Sequence, residues 1–264
     1  MPKRVVTTSL GDLWLWGDAD TPGDDRPLVL SISGAFSIPE PRAVTDLPGL
    51  LPEALVLNGH LPGNHCPPLI YHSIGVYARA YDEAVDAIGR PTIVFGASVG
   101  ALVAFAMRSS WVRGIVAADP PLVGSKLWPL VEPFRTRLRD TPGDDGVRAF
   151  IWTVFGLDET RHEERDYRGL LDGLSVPATV LFGDQALYPQ RRAPELMSLL
   201  DEPERDLLRA HPKIRVRLIE GIGHNVPGRA ISFVRTAVRD LLQTALRPGE
   251  AGRPAMAMPN REVN

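Results

Sequence analysis

Apolar and polar positions along this chain fall into two alternating periods. Val5 to Ser9 and Leu13 to Trp16 flank Gly11-Asp12, the pattern of a β-hairpin at a sheet edge, with Trp14 and Trp16 on one face. Short apolar runs at Leu28 to Ile32, Ala54 to Leu57, Pro91 to Phe95, Arg113 to Ala118, Ala178 to Phe182 and Ile214 to Ile219 predict six buried strands. Between them lie segments of helical period. From Ser73, residues Ile74, Tyr77, Tyr81, Val85 and Ile88 share a face opposite Arg79, Asp82, Glu83 and Asp86, and Gly89 and Pro91 stop the helix. A second helix follows Ser98 and is apolar on every side. A polar helix rich in Arg and Glu precedes the last strand, and a final amphipathic helix carries Ile231, Val234, Val238, Leu241 and Ala245. This alternation predicts an eight-stranded, mainly parallel α/β sheet, with the helices before and after Ser98 on opposite faces of the strand between them.

Residues 120–177 interrupt the alternation. They have helical patterning around Trp128 to Leu138 and Val147 to Phe155, a turn at Thr141 to Asp145 and a charged stretch from Asp158 to Arg168. The expected division is a core in two parts, 1–119 and 178–246, a helical insertion at 120–177, and a loose tail at 247–264 without periodicity. Nothing suggests two independent domains. The 264 residues are enough for one large core.

Composition narrows the partners. Hydrophobic residues make up 44%, charged residues 23% and the formal charge is −3, which argues against disorder and against a nucleic-acid surface. Cys66 is the single cysteine, so an internal disulfide and a cysteine-based metal cluster are excluded, and a reducing compartment fits. The first residues carry positive charge without an apolar run behind them, and no stretch approaches the ~20 apolar residues of a membrane helix. A cytoplasmic protein with a small-molecule substrate and no membrane partner is expected. The pattern assigns no oligomeric state.

The chemistry centres on Phe95-Gly96-Ala97-Ser98-Val99-Gly100-Ala101, a Gly-x-Ser-x-Gly set between a buried strand and a buried helix. A serine on so sharp a turn adopts a strained backbone, and Gly96 and Gly100 stand where a Cβ would collide with neighbours. The helix end behind it offers unpaired N–H groups to an oxyanion. A dinucleotide fingerprint is the rival, but Ser98 and Ala101 occupy its second and third glycine positions, and Ser98 would obstruct a pyrophosphate.

These residues resemble the nucleophile elbow of the α/β-hydrolase superfamily, over residues 3–246. The resemblance implies the α/β-hydrolase fold with a small helical cap at 120–177, and hydrolysis of an ester, thioester or lactone with an apolar acyl part through an acyl-enzyme on Ser98. His224, preceded by Gly223 after the last strand, matches the family's catalytic histidine. The loop Ser33-Gly34-Ala35-Phe36 matches the family's His-Gly-x-x loop with Ser33 in place of the His. Its oxyanion donors would be the N–H groups of Ala35 and Val99.

The family usually carries its acid three residues beyond the Gly that ends the strand at 178–182, and that position here is Ala186. The acid expected here is Asp119, at the end of the strand after the elbow helix, where some members of the superfamily carry it; Asp184 is the alternative, and a site with no acid at all is the third reading. Either carboxylate must accept a proton-bearing Nδ1 and fix the tautomer of His224. Phe36, Trp128, Phe134, Trp152 and Phe155 are candidates for an apolar substrate pocket, and packing of the cap onto the core accounts for about half of them. The family's Asp-x-x-Gly-His-Gly appears here as His60-Leu61-Pro62-Gly63-Asn64-His65, with His60 in place of the acid. His60, His65 and Cys66 match no zinc spacing, so no metal is expected, and the chemistry needs no cofactor. The superfamily also holds C–C hydrolases, lyases, cofactor-free oxygenases that would use a His224/Asp119 base, and non-catalytic ligand-binding proteins.

Overall fold

The structure is a computed structural model and describes residues 2–18, 24–35, 47–64, 66–124, 126, 130–185 and 196–245. Strands β1 (Lys3–Thr8) and β2 (Gly11–Gly17) form the antiparallel hairpin at one edge. Strands β3 (Leu28–Ile32), β4 (Leu55–Gly59), β5 (Thr92–Ala97), β6 (Val112–Ala118), β7 (Ala178–Gly183) and β8 (Ile214–Ile219) complete one sheet in the order β1-β2-β4-β3-β5-β6-β7-β8. All pairs from β4 to β8 are parallel. Strands β3, β4, β5 and β7 are buried along their whole length, which is why they read as continuous apolar runs and not as alternation.

The helices are α1 (Leu47–Leu50), α2 (Ile74–Ile88), α3 (Val99–Ala106), α4 (Val131–Asp140), α5 (Asp145–Phe150), α6 (Glu202–Ala210), α7 (Val226–Arg229) and α8 (Ile231–Ala245). Helix α2 has the bounds its punctuation predicts. The Ser73 hydroxyl accepts from the Val76 N–H at 3.1 Å, and Gly89, at φ 68°, closes the last turn onto Val85.

The placement of α2 and α3 corrects the expectation of opposite faces. Both lie on one face of the sheet, where Tyr77, Tyr81 and Val85 share an apolar cluster with Leu102, Val103 and Phe105. The reason is strand order. The steps from β4 to β5 and from β5 to β6 cross the sheet in the same direction, and right-handed crossovers made in one direction land on one side. The step from β3 to β4 runs backwards and puts α1 on the other face, where Leu47 and Leu51 join Val234, Val238 and Leu241 of α8.

The segment between β6 and β7 holds α4, α5, a π-helical turn at Ile151–Phe155 and a short 3-10 turn at Arg168–Leu170. Among the described residues it shares the core of the α2/α3 face: Phe134, Leu138, Phe150, Val154 and Phe155 belong to that cluster. Among the described residues no helix is long and apolar enough to cross a membrane.

Candidate active site

Because β3 to β8 run parallel, their C-terminal ends bring loops 33–35, 60–64, 119–124 and 220–225 to one edge, the edge at which open α/β sheets carry ligands. Ser98 stands at the centre. Its backbone takes φ 53° and ψ −120° between β5 and α3, and its N–H donates to Ala118 O at 2.8 Å, which ties the turn to β6. A Cβ on Gly96 would lie 2.4 Å from Gly100 O, and one on Gly100 would lie 2.3 Å from Ile32 O. No side chain fits at either place. The loop after β3 presses on the serine from the other side, since a Cβ on Gly34 would meet Ser98 Cβ at 3.2 Å.

Asp119 directly follows β6 and is fully buried. Its Oδ1 accepts from the Ser198 hydroxyl at 2.6 Å, and its Oδ2 accepts from the Leu199 N–H at 2.9 Å and lies 2.6 Å from His224 Nδ1. Every oxygen of this buried carboxylate is thus engaged, as burial of a charge requires. Ser98 and Asp119, at φ 53° and 44°, are the two non-glycine residues with positive φ among the described residues. Strain of about 1–3 kcal/mol at each concentrates in one place, a placement that folding alone does not call for.

His224 is held from its backbone as well, its N–H donating to Leu196 O at 2.8 Å. Gly223 lets that strand of chain approach, for a Cβ there would lie 2.4 Å from Leu196 O. With Nδ1 engaged by Asp119, the imidazole has only Nε2 left for a proton transfer.

Asp184 is elsewhere in the network. Its Oδ1 accepts from the Gly221 N–H at 2.9 Å, bracing the turn after β8, so the carboxylate at His224 is that of Asp119. Of the pocket candidates, Phe36 and Trp128 lie outside the described residues, as do Ala186 and His65. Phe134 and Phe155 are buried with ring centroids 4.5 Å apart, and Phe150 packs on Phe155 at 5.7 Å. Trp152 lies under the guanidinium groups of Arg161 and Arg165 at 4.6 and 5.3 Å.

Sequence reasoning missed the seat of Asp119. Ser198 lies within Leu196-Met197-Ser198-Leu199-Leu200, an apolar run whose lone hydroxyl, if buried, needs a partner. That was the available signal. Behind it, the buried Arg205 guanidinium donates to Leu200 O at 2.8 Å and Gly183 O at 3.0 Å, fastening this segment to the end of β7.

Cys66 follows the loop after β4, its thiol donating toward Leu61 O at 3.4 Å, and burial pushes that thiol up to about 11. A group raised this far stays protonated until the pH nears its pKa. Alkylation by iodoacetamide at pH 7.5 should therefore run on the order of 100-fold slower than for free cysteine and climb with pH up to that value. Alkylation as fast as that of free cysteine would contradict the burial. Among the described residues no three His, Cys, Asp or Glu side chains converge as a metal site.

No family model and no curated protein sequence matches this chain. Solved structures do. A putative hydrolase from Bacillus subtilis is similar over 91% of this chain and 92% of its own, with TM-score 0.62 and 15% identity. The N-acyl homoserine lactonase AidH, in complex with N-hexanoyl homoserine, is similar over 92% and 97% with TM-score 0.60 and 16% identity. A thioesterase domain from the curacin biosynthetic pathway is similar over 91% and 99% with TM-score 0.61 and 19% identity. At these identities the likeness is one of fold.

Proposed function

We propose that this chain, which has the α/β-hydrolase fold, is a serine hydrolase that cleaves an ester, thioester or lactone with an apolar acyl part. The observation that carries the reading is the 2.6 Å contact between His224 Nδ1 and the buried Asp119, at the same sheet edge as a serine held at φ 53°. Ser98 Oγ attacks the substrate carbonyl while His224 Nε2 takes the hydroxyl proton. Asp119 keeps Nδ1 protonated and stabilises the imidazolium that forms. The N–H groups of Ala35 and Val99 hold the oxyanion, Val99 with the positive end of α3 behind it. Collapse expels the alcohol or thiol, which receives its proton from His224. Water then attacks the acyl-enzyme by the same steps, returning the acid and free Ser98.

Residues 120–177 form the cap in this reading. Lys126 at its start bonds Asp201 at 2.5 Å, ahead of α6, and the aromatic residues of the segment share the core of α2 and α3, so the insertion packs on that side of the sheet. A cap excludes water from the reacting carbonyl. The substrate range draws support from the lactonase and the thioesterase domain among the similar structures.

Incubation with a fluorophosphonate probe is expected to add one adduct, located by peptide mass spectrometry on the segment holding Ser98. No adduct on folded protein would reject an activated serine. Of a panel of acyl esters, thioesters and lactones, members with apolar acyl chains should turn over fastest, each with a burst of the first product wherever deacylation is slow.

A further inference from the structure

We propose that His60 is a positioning residue for the oxyanion loop, acting through Ser33; this rests on the serine-hydrolase reading and names a part of its machinery. Two departures from the family pattern, Ser33 in place of a histidine and His60 in place of an acid, lie 27 residues apart in sequence. In the structure they meet: Ser33 Oγ is 3.1 Å from His60 Nδ1, and both side chains are buried. A buried polar pair of this kind is strongly favoured to stay together, because separation leaves each partner without solvent.

His60 is itself held by contacts to other elements. Its carbonyl accepts from the Tyr81 hydroxyl at 2.8 Å, its ring stands edge-on to Trp16 at 5.3 Å and 72°, and its Nδ1 faces Ser33. Tyr81 reaches that carbonyl by passing close under the end of β4, where a Cβ on Gly59 would lie 2.3 Å from its hydroxyl oxygen. Trp16 sits on β2, which pairs with β4 through Trp16 and Asn58. The ring is thus referenced to two elements outside the loop it steadies.

Ser33 is the first residue after β3, and its own N–H donates to Gly59 O at 3.0 Å. The next residue, Gly34, lies against Ser98, and the one after, Ala35, carries the proposed donor. A rotation of the chain at Ser33 therefore moves the Ala35 N–H relative to the point where the oxyanion forms. An oxyanion donor acts only within a few tenths of an ångström of its position, so the His60–Ser33 contact governs the chemical step and not the binding of substrate.

The test compares His60→Leu, His60→Asn, Ser33→Ala and the double variant Ser33→Ala/His60→Leu with the unaltered protein. The readouts are kcat and KM on its best ester, the rate of fluorophosphonate labelling and the melting temperature. His60→Leu and Ser33→Ala should each lower kcat and the labelling rate by about 10- to 100-fold with KM within about threefold. His60→Asn, which places a polar atom where Nδ1 stands, should recover most of the loss. The double variant should be no slower than His60→Leu alone, since both break one contact.

Unchanged kcat in Ser33→Ala, losses that add in the double variant, or a loss confined to KM would each overturn the proposal. Ser33→Ala removes a single oxygen and decides the matter even where His60→Leu does not fold. If the unaltered protein takes no label at Ser98, it is the serine-hydrolase reading that falls. If it takes label and the variants label as fast, only the role of His60 falls.

Discussion

Replacing Ser98 by alanine should abolish fluorophosphonate labelling and lower ester hydrolysis by about 10⁴- to 10⁶-fold, because without the hydroxyl there is no acyl-enzyme and only bound water remains to attack. The fold should be indifferent to the change. Alanine at φ 53° keeps the strain that serine bears, and the side chain is partly exposed. The melting temperature should stay within a few degrees of the unaltered protein.

Ser98→Gly should behave differently, losing the same activity while gaining about 1 kcal/mol of stability, since glycine adopts a positive φ without a Cβ penalty. A rise in stability together with a loss of turnover is the signature of strain kept for function. The alternative chemistry, in which His224 and Asp119 deprotonate a substrate and Ser98 only orients it, predicts a loss of about tenfold for Ser98→Ala and abolition for His224→Ala. Steady-state rates of the two variants on one substrate separate the readings. A residual rate above about one tenth in Ser98→Ala would remove the acyl-enzyme.

What the sequence reveals follows from how local the cause is. The elbow is legible because its constraints lie within five residues: a strand end at Gly96, a turn with positive φ at Ser98 and a helix start with Gly100. Helix α2 is legible for the same reason, its start and stop signals being Ser73 and Gly89. The side of the sheet on which α2 lies is not local. It depends on β3 standing between β4 and β5, which no residue of the helix encodes.

The choice between Asp119 and Asp184 is likewise a matter of long range. Both carboxylates follow strands at the same edge, and they are separated only by their partners, Ser198, Leu199 and His224 for one and Gly221 for the other. The aromatic residues of 120–177 show a third limit. Helical patterning marks Phe134 and Phe155 as inward-facing, but a stripe does not say what it meets; the structure brings the two rings, 21 residues apart in sequence, into contact with each other. The Ser33–His60 pair looks like two unrelated oddities until a contact joins them.

Asp119→Asn should lower kcat by about 10²- to 10⁴-fold, whereas Asp184→Asn should leave it within about threefold. The argument lies in the donors. Oδ2 of Asp119 serves Leu199 N–H and His224 Nδ1, while Oδ1 serves a hydroxyl, that of Ser198, which can turn and accept instead of donating. An asparagine can therefore set its nitrogen toward Ser198 and its oxygen toward Leu199 and His224, keeping the tautomer and losing the charge. What disappears is the stabilisation of the imidazolium in the transition state, so kcat falls and KM does not. Asp119→Ala leaves the Leu199 N–H and the Ser198 hydroxyl without an acceptor in a buried place and should cost a further ~2–4 kcal/mol of stability. Ser198→Ala in the Asp119→Asn background sharpens the test. It removes the group that lets the amide orient, so the rate should fall again, whereas the same substitution beside an intact carboxylate should cost much less. If Asp184→Asn proves the more damaging variant, the acid of the site is not Asp119, and the contact to His224 is only a buried support for the loop after β8.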